Sequence, residues 1–264
     1  MTSMDLNFNE NEISRYSRNI LLSEVGGEGQ SRLRAARVLV VGAGGLGSPL
    51  LLYLAAAGIG TIGVVDDDVV DLSNLQRQIA HSTDRIGTTK VHSAIAAARA
   101  INPLVQFEPH ETRIGASNAA ALVAGYDLVC DGSDNFPTRF LLADACVLAE
   151  RPLVSGAVLR FDGQVSTFKP GGPCYRCLHP APPPEGLIPS CAEAGILGAV
   201  TGVIGSLMAT EVLKEIMLVG EGLSGRLLIW DALHARFRLV RLPRDPACPL
   251  CGAHSTIHDL SAHA

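Results

Sequence analysis

The sequence lacks any block of basic residues. Its 264 residues contain 21 Lys and Arg against 26 Asp and Glu, which gives a formal net charge of −5. Proteins that bind nucleic acids neutralise phosphates with clustered Lys and Arg, so we exclude a nucleic-acid partner. The first residues, MTSMDLNFNENEIS, are polar and acidic and do not resemble a secretory signal. We therefore expect a cytoplasmic protein.

The sequence also lacks a segment that would span a membrane. Residues 38–65 carry no charge, but glycines and Pro49 interrupt them, and both ends are β-branched. This pattern predicts a strand, a glycine-rich turn, a helix and a second strand, all buried. Residues 194–209 are shorter than the roughly 20 residues that cross a bilayer. They predict a helix of small residues in the core.

The seven cysteines do not indicate a disulfide scaffold. In a chain expected in a reducing compartment, CxxC spacing indicates metal binding more often than disulfides. Cys174 and Cys177 form one CxxC pair, and Cys248 and Cys251 form another. Four thiolates in this arrangement fit a closed, structural Zn²⁺ site. A redox function is disfavoured, because there are two pairs and neither begins a thioredoxin-like unit.

The order of apolar segments predicts an α/β fold in a single domain, residues 1–264. Strands are predicted at 37–41, 61–65, 104–108 and 127–131. Helices are predicted near 11–24, 47–57, 88–100, 117–124 and 136–149. Because strands and helices alternate, the first half, about residues 11–150, should be Rossmann-like, with a parallel sheet and helices on both faces.

After residue 150 the pattern changes to antiparallel strands. Asp162–Gly163 lies between two β-rich runs and predicts a hairpin turn. A second antiparallel pair is predicted at 226–231 and 236–242. We therefore expect a mixed sheet, with a carrier-binding and zinc half at about 151–252 and a flexible tail at 253–264.

The segment VLVVGAGGLG is the first indication of a ligand. Gly42, Gly44 and Gly47 follow a strand and open a helix, where backbone N–H groups can bind a phosphate. Asp66 ends the next strand, where a dinucleotide fold places its ribose-binding acid. This motif alone leaves an NAD-dependent oxidoreductase open.

The loop after Asp66 favours a nucleoside triphosphate instead. Its polar side chains are Asp66, Asp68, Asn74, Gln76, Arg77 and Gln78. A triphosphate needs a ribose acceptor, cations for phosphate oxygens and amides that fix its orientation. Lys90 adds a second cation, and Asp131 and Asp134 follow a strand where open sheets bind ligands. A carboxylate there suits Mg²⁺.

Several motifs occur in one order: RYSRNILL, GAGGLGS, DLSNLQRQ, Lys90, DGSDN, PCYRCL and CPLCG. Over about residues 11–252 they resemble the MoeB/ThiF adenylyltransferases, bacterial relatives of the ubiquitin-activating enzymes. The resemblance implies that ATP adenylylates the C-terminal glycine of a ubiquitin-like sulfur-carrier protein ending in Gly-Gly and releases pyrophosphate. A separate sulfur donor protein then forms the thiocarboxylate. The implied carrier is the small subunit of molybdopterin synthase, with the thiamin-thiazole carrier as the alternative. A noncatalytic nucleotide-binding scaffold is the alternative of another class.

The resemblance also implies a role for individual residues. The catalytic residues are Asp134, Arg77, Lys90 and Arg18. The residues that bind ATP and Mg²⁺ are Gly42, Gly44, Gly45, Asp66, Asn74, Arg77, Lys90 and Asp134. Arg18 matches an arginine that reaches into the other subunit's ATP site, which implies a homodimer.

Cys191 matches the position of the thioester cysteine in the ubiquitin-activating relatives. A covalent role is therefore a candidate, and an unused thiol is the alternative. His81 and His92 are predicted to be surface or helix-face residues. Adenylyl transfer needs positioning and cations rather than a protein nucleophile, so neither histidine is assigned to catalysis.

Overall fold

The computed structural model describes residues 7–184 and 194–263, and an eight-stranded sheet organises them. The strands are β1 (Arg37–Val41), β2 (Thr61–Val65), β3 (Gln106–His110), β4 (Leu128–Asp131), β5 (Leu153–Leu159), β6 (Asp162–Phe168), β7 (Arg226–Asp231) and β8 (Arg236–Arg241). The helices are α1 (Glu10–Ile20), α2 (Gly26–Ala35), α3 (Gly47–Ala57), α4 (Lys90–Ile101), α5 (Ala119–Ala124), α6 (Phe136–Leu148), α7 (Tyr175–Leu178) and α8 (Gly198–Met217).

The strand order is β3-β2-β1-β4-β5-β6-β7-β8. The pairs from β3 to β5 are parallel, and the pairs from β5 to β8 are antiparallel. The predicted mixed sheet is therefore confirmed. Strands β2 and β3 are added on one side of β1, and β4 and all later strands on the other, so the strand order reverses between β1 and β4. Open α/β sheets bind their ligands at the carboxyl ends of the strands at such a point.

Both faces of the parallel half are covered by helices. Val38 and Val40 of β1 pack in one buried cluster with residues of α3, α4 and α8. Leu39 and Val41 point to the other face and pack with residues of α5 and α6. A strand that is buried on both faces has a continuous apolar sequence, which explains the run VLVV.

The turn predicted at Asp162–Gly163 is wrong by two residues. The connection between β5 and β6 is Arg160 and Phe161, and Arg160 has a φ of +56°. Gly163 lies inside β6. A Cβ on Gly163 would lie 2.4 Å from Ile204 of α8, so this glycine allows the helix to approach the sheet.

The sequence predicts a flexible tail at 253–264, but its described residues pack on the rest of the chain: Ala253, Thr256 and Ile257 bond to Pro246 and Pro249, and the end of the segment lies against α6. Nε2 of His263 is 2.7 Å from Oδ2 of Asp144, and Leu260 packs on the cluster that contains α6. The buried Asp144 carboxylate attracts the histidine and holds the segment, which the polar composition of the tail does not reveal. Among the described residues, no helix has the length and apolar character needed to cross a membrane.

Candidate nucleotide site and cysteine cluster

A cavity of about 320 Å³ opens at the carboxyl ends of β1, β2 and β4. The predicted site residues that line it are Gly42, Gly44, Gly45, Asp66, Arg77, Lys90 and Asp134. These residues follow three different strands, and the parallel order of the strands brings them to one edge of the sheet. Asn74 and Arg18 are not among the residues that line this wall in the described part of the chain.

The glycine-rich loop between β1 and α3 forms the floor of the cavity. Gly42 has a φ of +91°, and a Cβ there would lie 2.9 Å from the backbone oxygen of Gly132. A Cβ on Gly47 would lie 1.8 Å from the oxygen of Gly42. Only glycine fits these two positions. The N-terminus of α3, where free N–H groups favour anions, lies beside the cavity.

Asp66 directly follows β2 and is hydrogen-bonded to this loop. Its Oδ2 accepts a hydrogen bond from the backbone N of Ala43 at 2.8 Å, and its Oδ1 accepts one from the backbone N of Asp68 at 2.9 Å. Burial raises the pKa of the Asp66 carboxyl, and both N–H donors and Lys90 oppose that rise. Each carboxylate oxygen can accept a further hydrogen bond, as a ribose hydroxyl would require.

Lys90 begins α4 and reaches the cavity with a buried side chain. Its Nζ lies 2.7 Å from Oδ2 of Asp68, whose side chain is 68% exposed. Because water reaches the carboxylate, this ion pair contributes little to stability. A phosphate can therefore compete for the ammonium group.

The loop after β2 places Arg77 and Gln78 on the cavity wall. Arg77 donates through Nη1 to the backbone oxygen of Ser73 at 3.1 Å, which leaves further N–H donors of the guanidinium. Gln78 is buried, and its Oε1 has no hydrogen-bond partner within the described ranges. Among the described residues, the Asn74 amide donates only to Oγ of Ser73, at 3.5 Å, so its ribose contact stays a prediction.

The two acids of the β4 loop, Asp131 and Asp134, differ in their surroundings. Asp131 is buried and accepts hydrogen bonds from the backbone N and Oγ of Ser133, at 3.0 and 2.6 Å, and from Oγ of Ser155 at 2.8 Å. Asp134 is exposed on the cavity wall, and no other described residue forms a hydrogen bond or an ion pair with its carboxylate. Asp131 therefore holds the loop, and Asp134 faces the space for a ligand.

Sequence reasoning missed two arginines on the cavity wall, Arg113 and Arg139. The Arg139 guanidinium is buried and donates to the backbone oxygens of Ser133, at 2.5 Å, and Gly156, at 2.7 Å. A charged residue within the apolar helix FPTRFLLADACVL was the available signal for Arg139. Arg113 carries no comparable signal.

The prediction that His81 is a surface or helix-face residue is wrong, because His81 lies outside any helix. The side chain is buried; Nε2 lies 2.9 Å from the backbone oxygen of Ala43, and Nδ1 lies 2.9 Å from Oγ of Ser93. A carbonyl only accepts hydrogen bonds, so Nε2 carries the proton and Nδ1 accepts from the Ser93 hydroxyl. Burial lowers the pKa of the imidazole. His92 is exposed as predicted and pairs with Glu111 at 2.7 Å.

Arg18 lies exposed on α1, a helix that packs on α2. Its guanidinium is thus available at the surface but lies outside the cavity of its own chain. Cys191 lies outside the described residues.

The four predicted metal ligands form one cluster: Cys174, Cys177, Cys248 and Cys251. Their Sγ atoms all lie within 4.8 Å of one another. The distances are 3.5 Å for Cys174–Cys248, 3.4 Å for Cys177–Cys251 and 3.9 Å for Cys174–Cys177. A tetrahedral site with Zn–S bonds of about 2.3 Å has sulfur–sulfur edges of about 3.8 Å. The cluster therefore has the dimensions that four thiolates need around one metal ion.

The comparisons with known proteins agree with one another. The ThiF family model matches residues 16–250. A SAMP-activating enzyme E1 from Haloferax volcanii is 51% identical over 249 residues, which are 94% of this chain and 92% of that protein. A sulfur carrier protein adenylyltransferase from Thermus thermophilus is 49% identical over 261 residues, which are 97% of this chain and 96% of that protein. The crystal structure of E. coli MccB with ATP has a TM-score of 0.80 at 22% identity, covering 93% of this chain and 82% of that one.

A Rossmann-like half with a polar, cation-lined cavity at its strand ends, followed by an antiparallel extension, is the architecture of a nucleotide-binding α/β protein. The family match makes this more specific: the chain belongs to the ThiF family, as a MoeB/ThiF-type adenylyltransferase. The NAD-dependent oxidoreductase that the glycine motif alone left open is set aside.

Proposed function

We propose that this enzyme uses ATP to adenylylate the C-terminal glycine of a ubiquitin-like sulfur-carrier protein that ends in Gly-Gly. The observation that carries the proposal is the set of charged side chains that line the cavity. Among the described residues, the Asp134 carboxylate has no partner, and it lines the same cavity as the cations Arg77 and Lys90, at the strand ends where an adenylating enzyme binds ATP. The names of two close relatives, a SAMP-activating enzyme and a sulfur carrier protein adenylyltransferase, support the carrier as substrate.

In the proposed reaction, a carboxylate oxygen of the carrier's terminal glycine attacks the α-phosphorus of ATP. A C–O–P bond forms, the bond from the α-phosphorus to the bridging oxygen breaks, and pyrophosphate leaves. No protein nucleophile is needed. The protein contributes orientation and positive charge where negative charge accumulates.

Within this reaction the roles follow from position. Gly42, Gly44 and Gly45 let the nucleotide approach the backbone, and Asp66 accepts from the ribose. Asn74 does not line the cavity, and its role as a second ribose contact is carried over from the family resemblance alone. Arg77 and Lys90 neutralise phosphate oxygens, since both reach the cavity wall with donors available.

Asp134 would hold Mg²⁺, because an unpaired carboxylate beside a triphosphate is the protein ligand that this ion uses. When bound there, Mg²⁺ supplies positive charge to the phosphates. Zn²⁺ would occupy the cysteine cluster, whose sulfur–sulfur distances fit four-coordinate thiolate ligation, and its role would be structural.

Three further parts of the proposal concern the oligomer, the sulfur donor and the identity of the carrier. We propose a homodimer in which Arg18 completes the neighbouring subunit's site, supported by its exposure away from its own cavity. We propose that a separate protein donates the sulfur and that Cys191 is a candidate for a covalent link. The carrier is the small subunit of molybdopterin synthase, with the thiamin-thiazole carrier as the alternative. A reducing, cytoplasmic location would keep the clustered thiols available for metal.

The test is exchange of pyrophosphate into ATP with purified enzyme, Mg²⁺ and a carrier protein. We expect exchange with the Gly-Gly-ended carrier and none with the same carrier lacking its last two glycines. Comparing the molybdopterin and thiazole carriers identifies the substrate. Exchange that is absent with every Gly-Gly-ended carrier, in an enzyme that still binds ATP, would show a noncatalytic nucleotide-binding scaffold instead.

A further inference from the structure

The segment after the second CxxC pair turns back onto the cysteine cluster. The backbone N atoms of Thr256 and Ile257 both donate to the backbone oxygen of Pro249, which lies inside that CxxC pair, at 2.8 and 3.0 Å. The Ile257 side chain packs on the apolar group that contains the cluster cysteines. Residues 253–263, the strap, therefore lie against the cluster as well as against α6.

The far end of the strap is held by a buried carboxylate. Nε2 of His263 lies 2.7 Å from Oδ2 of Asp144 in α6, and because a carboxylate only accepts hydrogen bonds, Nε2 is the donor. The side chain of Asp144 is completely buried, and that of His263 is 13% exposed. A carboxylate without access to water depends on its protein partners for every hydrogen bond. The contact with His263 is therefore suited to fix the strap.

The same carboxylate holds the first CxxC pair through Arg176. Nε and Nη2 of Arg176 donate to Oδ1 and Oδ2 of Asp144, each at 2.7 Å. Arg176 is buried and lies in α7, between Cys174 and Cys177. Two parallel hydrogen bonds fix the orientation of the guanidinium as well as its position. Asp144 thus joins the strap to the turn that carries two of the four cluster cysteines.

We propose that His263, Asp144 and Arg176 form a clasp that closes the strap on the cysteine cluster and slows the loss of its metal ion. The contacts form a circuit, since the chain runs from Cys251 to His263, and Asp144 and Arg176 return it to Cys177. Release of a metal ion requires its ligands to separate, which is a local opening of the structure. Hydrogen-bonded groups behind the ligands affect how firmly a metal is held. The inference rests on the Zn²⁺ of the proposed function and not on the proposed reaction.

The test measures the release of Zn²⁺ from the intact protein to an excess of a colour-forming chelator. His263→Ala should release its metal about 10-fold faster than wild type, because a hydrogen bond to a charged group no longer opposes opening. His263→Gln should stay within about 3-fold of wild type, since its amide nitrogen can donate to the carboxylate in place of the imidazole. Before the chelator is added, all three proteins should contain the same amount of zinc.

Backbone hydrogen exchange gives a second measurement that does not depend on the metal. The N–H groups of Thr256 and Ile257 should exchange about 10-fold faster in His263→Ala, because the strap opens more often. The N–H groups of β1 should keep their wild-type rates, since these strand bonds open only with the fold as a whole.

His258→Ala is the matched control. His258 is a histidine of the same strap, but it is exposed. We expect wild-type rates of metal release and of hydrogen exchange.

The possible failures differ in what they overturn. If wild type holds zinc and Cys248→Ala loses it, but His263→Ala releases zinc at the wild-type rate, the clasp is refuted and the structural zinc stands. Faster release that comes with faster exchange in β1 would also refute the clasp, by showing only a loss of overall stability. A wild-type protein without metal would overturn both the zinc and the clasp. Pyrophosphate exchange tests the proposed reaction separately, because no measurement on the clasp uses a carrier protein.

Discussion

The nucleotide cavity and the cysteine cluster are both built from polar side chains at the ends of strands and loops. They differ in whether these side chains contact one another. In the cluster, the sulfur atoms face one another at 3.4–3.9 Å, and Leu250 and other apolar residues surround them. In the cavity, Asp134 and Oε1 of Gln78 have no partner among the described residues, and Lys90 pairs only with the exposed Asp68.

This difference separates a structural site from a working one. Groups that face one another can close around a single ion and hold distant segments together. Groups that line a cavity keep their interactions for a ligand, although leaving a buried polar group unpaired costs about 1–3 kcal/mol. We therefore expect substitutions in the cavity to affect catalysis and substitutions in the cluster to affect stability.

Asp134→Asn should give the largest effect on catalysis. The change removes the charge that faces the phosphates, so exchange should fall by about 10²–10³-fold, a size typical of lost electrostatic stabilisation. The melting temperature should hardly change, because no described residue pairs with this carboxylate. Carrier-dependent pyrophosphate exchange and thermal denaturation measure the two quantities.

Asp131→Asn is the matched control, since it alters the neighbouring acid that is fully hydrogen-bonded. It should lose about 1–3 kcal/mol of stability, because one amide cannot replace all the acceptor positions of the carboxylate. Exchange close to wild type in Asp134→Asn would remove the distinction drawn between the two acids.

Arg18→Ala tests whether the cavity is complete within one chain. We expect loss of exchange by about 10²-fold or more, with the proposed dimer intact, because a cation at the phosphates is lost. Mixing this variant with Asp134→Ala should restore part of the activity, since one site of the mixed dimer regains both groups. Size-exclusion chromatography and exchange assays on the mixture measure this. Absence of complementation would place Arg18 in its own chain's chemistry or in the fold.

The sequence predicted the order of elements in the parallel half, because its buried strands are short apolar runs separated by glycine turns and helical segments. The strands at 37–41 and 61–65 were predicted with their observed ends, and the spacing of the cysteines was enough to predict the cluster. These features depend on residues that are close in the chain or that repeat regularly.

What the sequence did not reveal depends on distant contacts. The imidazole of His81 can be buried because the backbone oxygen of Ala43, 38 positions away, accepts its hydrogen bond. Asp131 differs from Asp134 because Ser155, 24 positions from Asp131, donates to it. The sequence around Gly163 resembles a turn, but glycine is required there because Ile204 packs too closely to leave room for a Cβ. Local composition cannot supply such partners, and for Arg18 and Cys191 only the family resemblance gave a role.

Cys248→Ala tests the structural side of the comparison. Loss of one of four mutually facing ligands should release the metal and cost about 4 kcal/mol of stability, the range in which lost metal sites fall. ATP should still bind to the folded fraction. Metal analysis, denaturation and nucleotide titration check these results. Cys146→Ala is the control, because Cys146 is equally buried but outside the cluster; it should keep its zinc and lose only packing energy. A stable, metal-free wild-type protein would contradict the structural role.

The smallest effect should come from His81, which lies behind the cavity but has both ring nitrogens hydrogen-bonded. Burial lowers the pKa of this imidazole below its unfolded value of about 6.5. As the pH falls below about 6.5, the unfolded chain therefore binds a proton that the folded chain does not, and stability decreases.

In His81→Gln this part of the pH dependence should disappear, and about 1–3 kcal/mol should be lost at neutral pH because the buried acceptors lose their matched partner. Urea denaturation near neutral and mildly acidic pH measures both effects, with the exposed His92→Gln as control. An unchanged slope in His81→Gln would mean that another group, such as His179, whose pKa burial also lowers, accounts for the acid sensitivity.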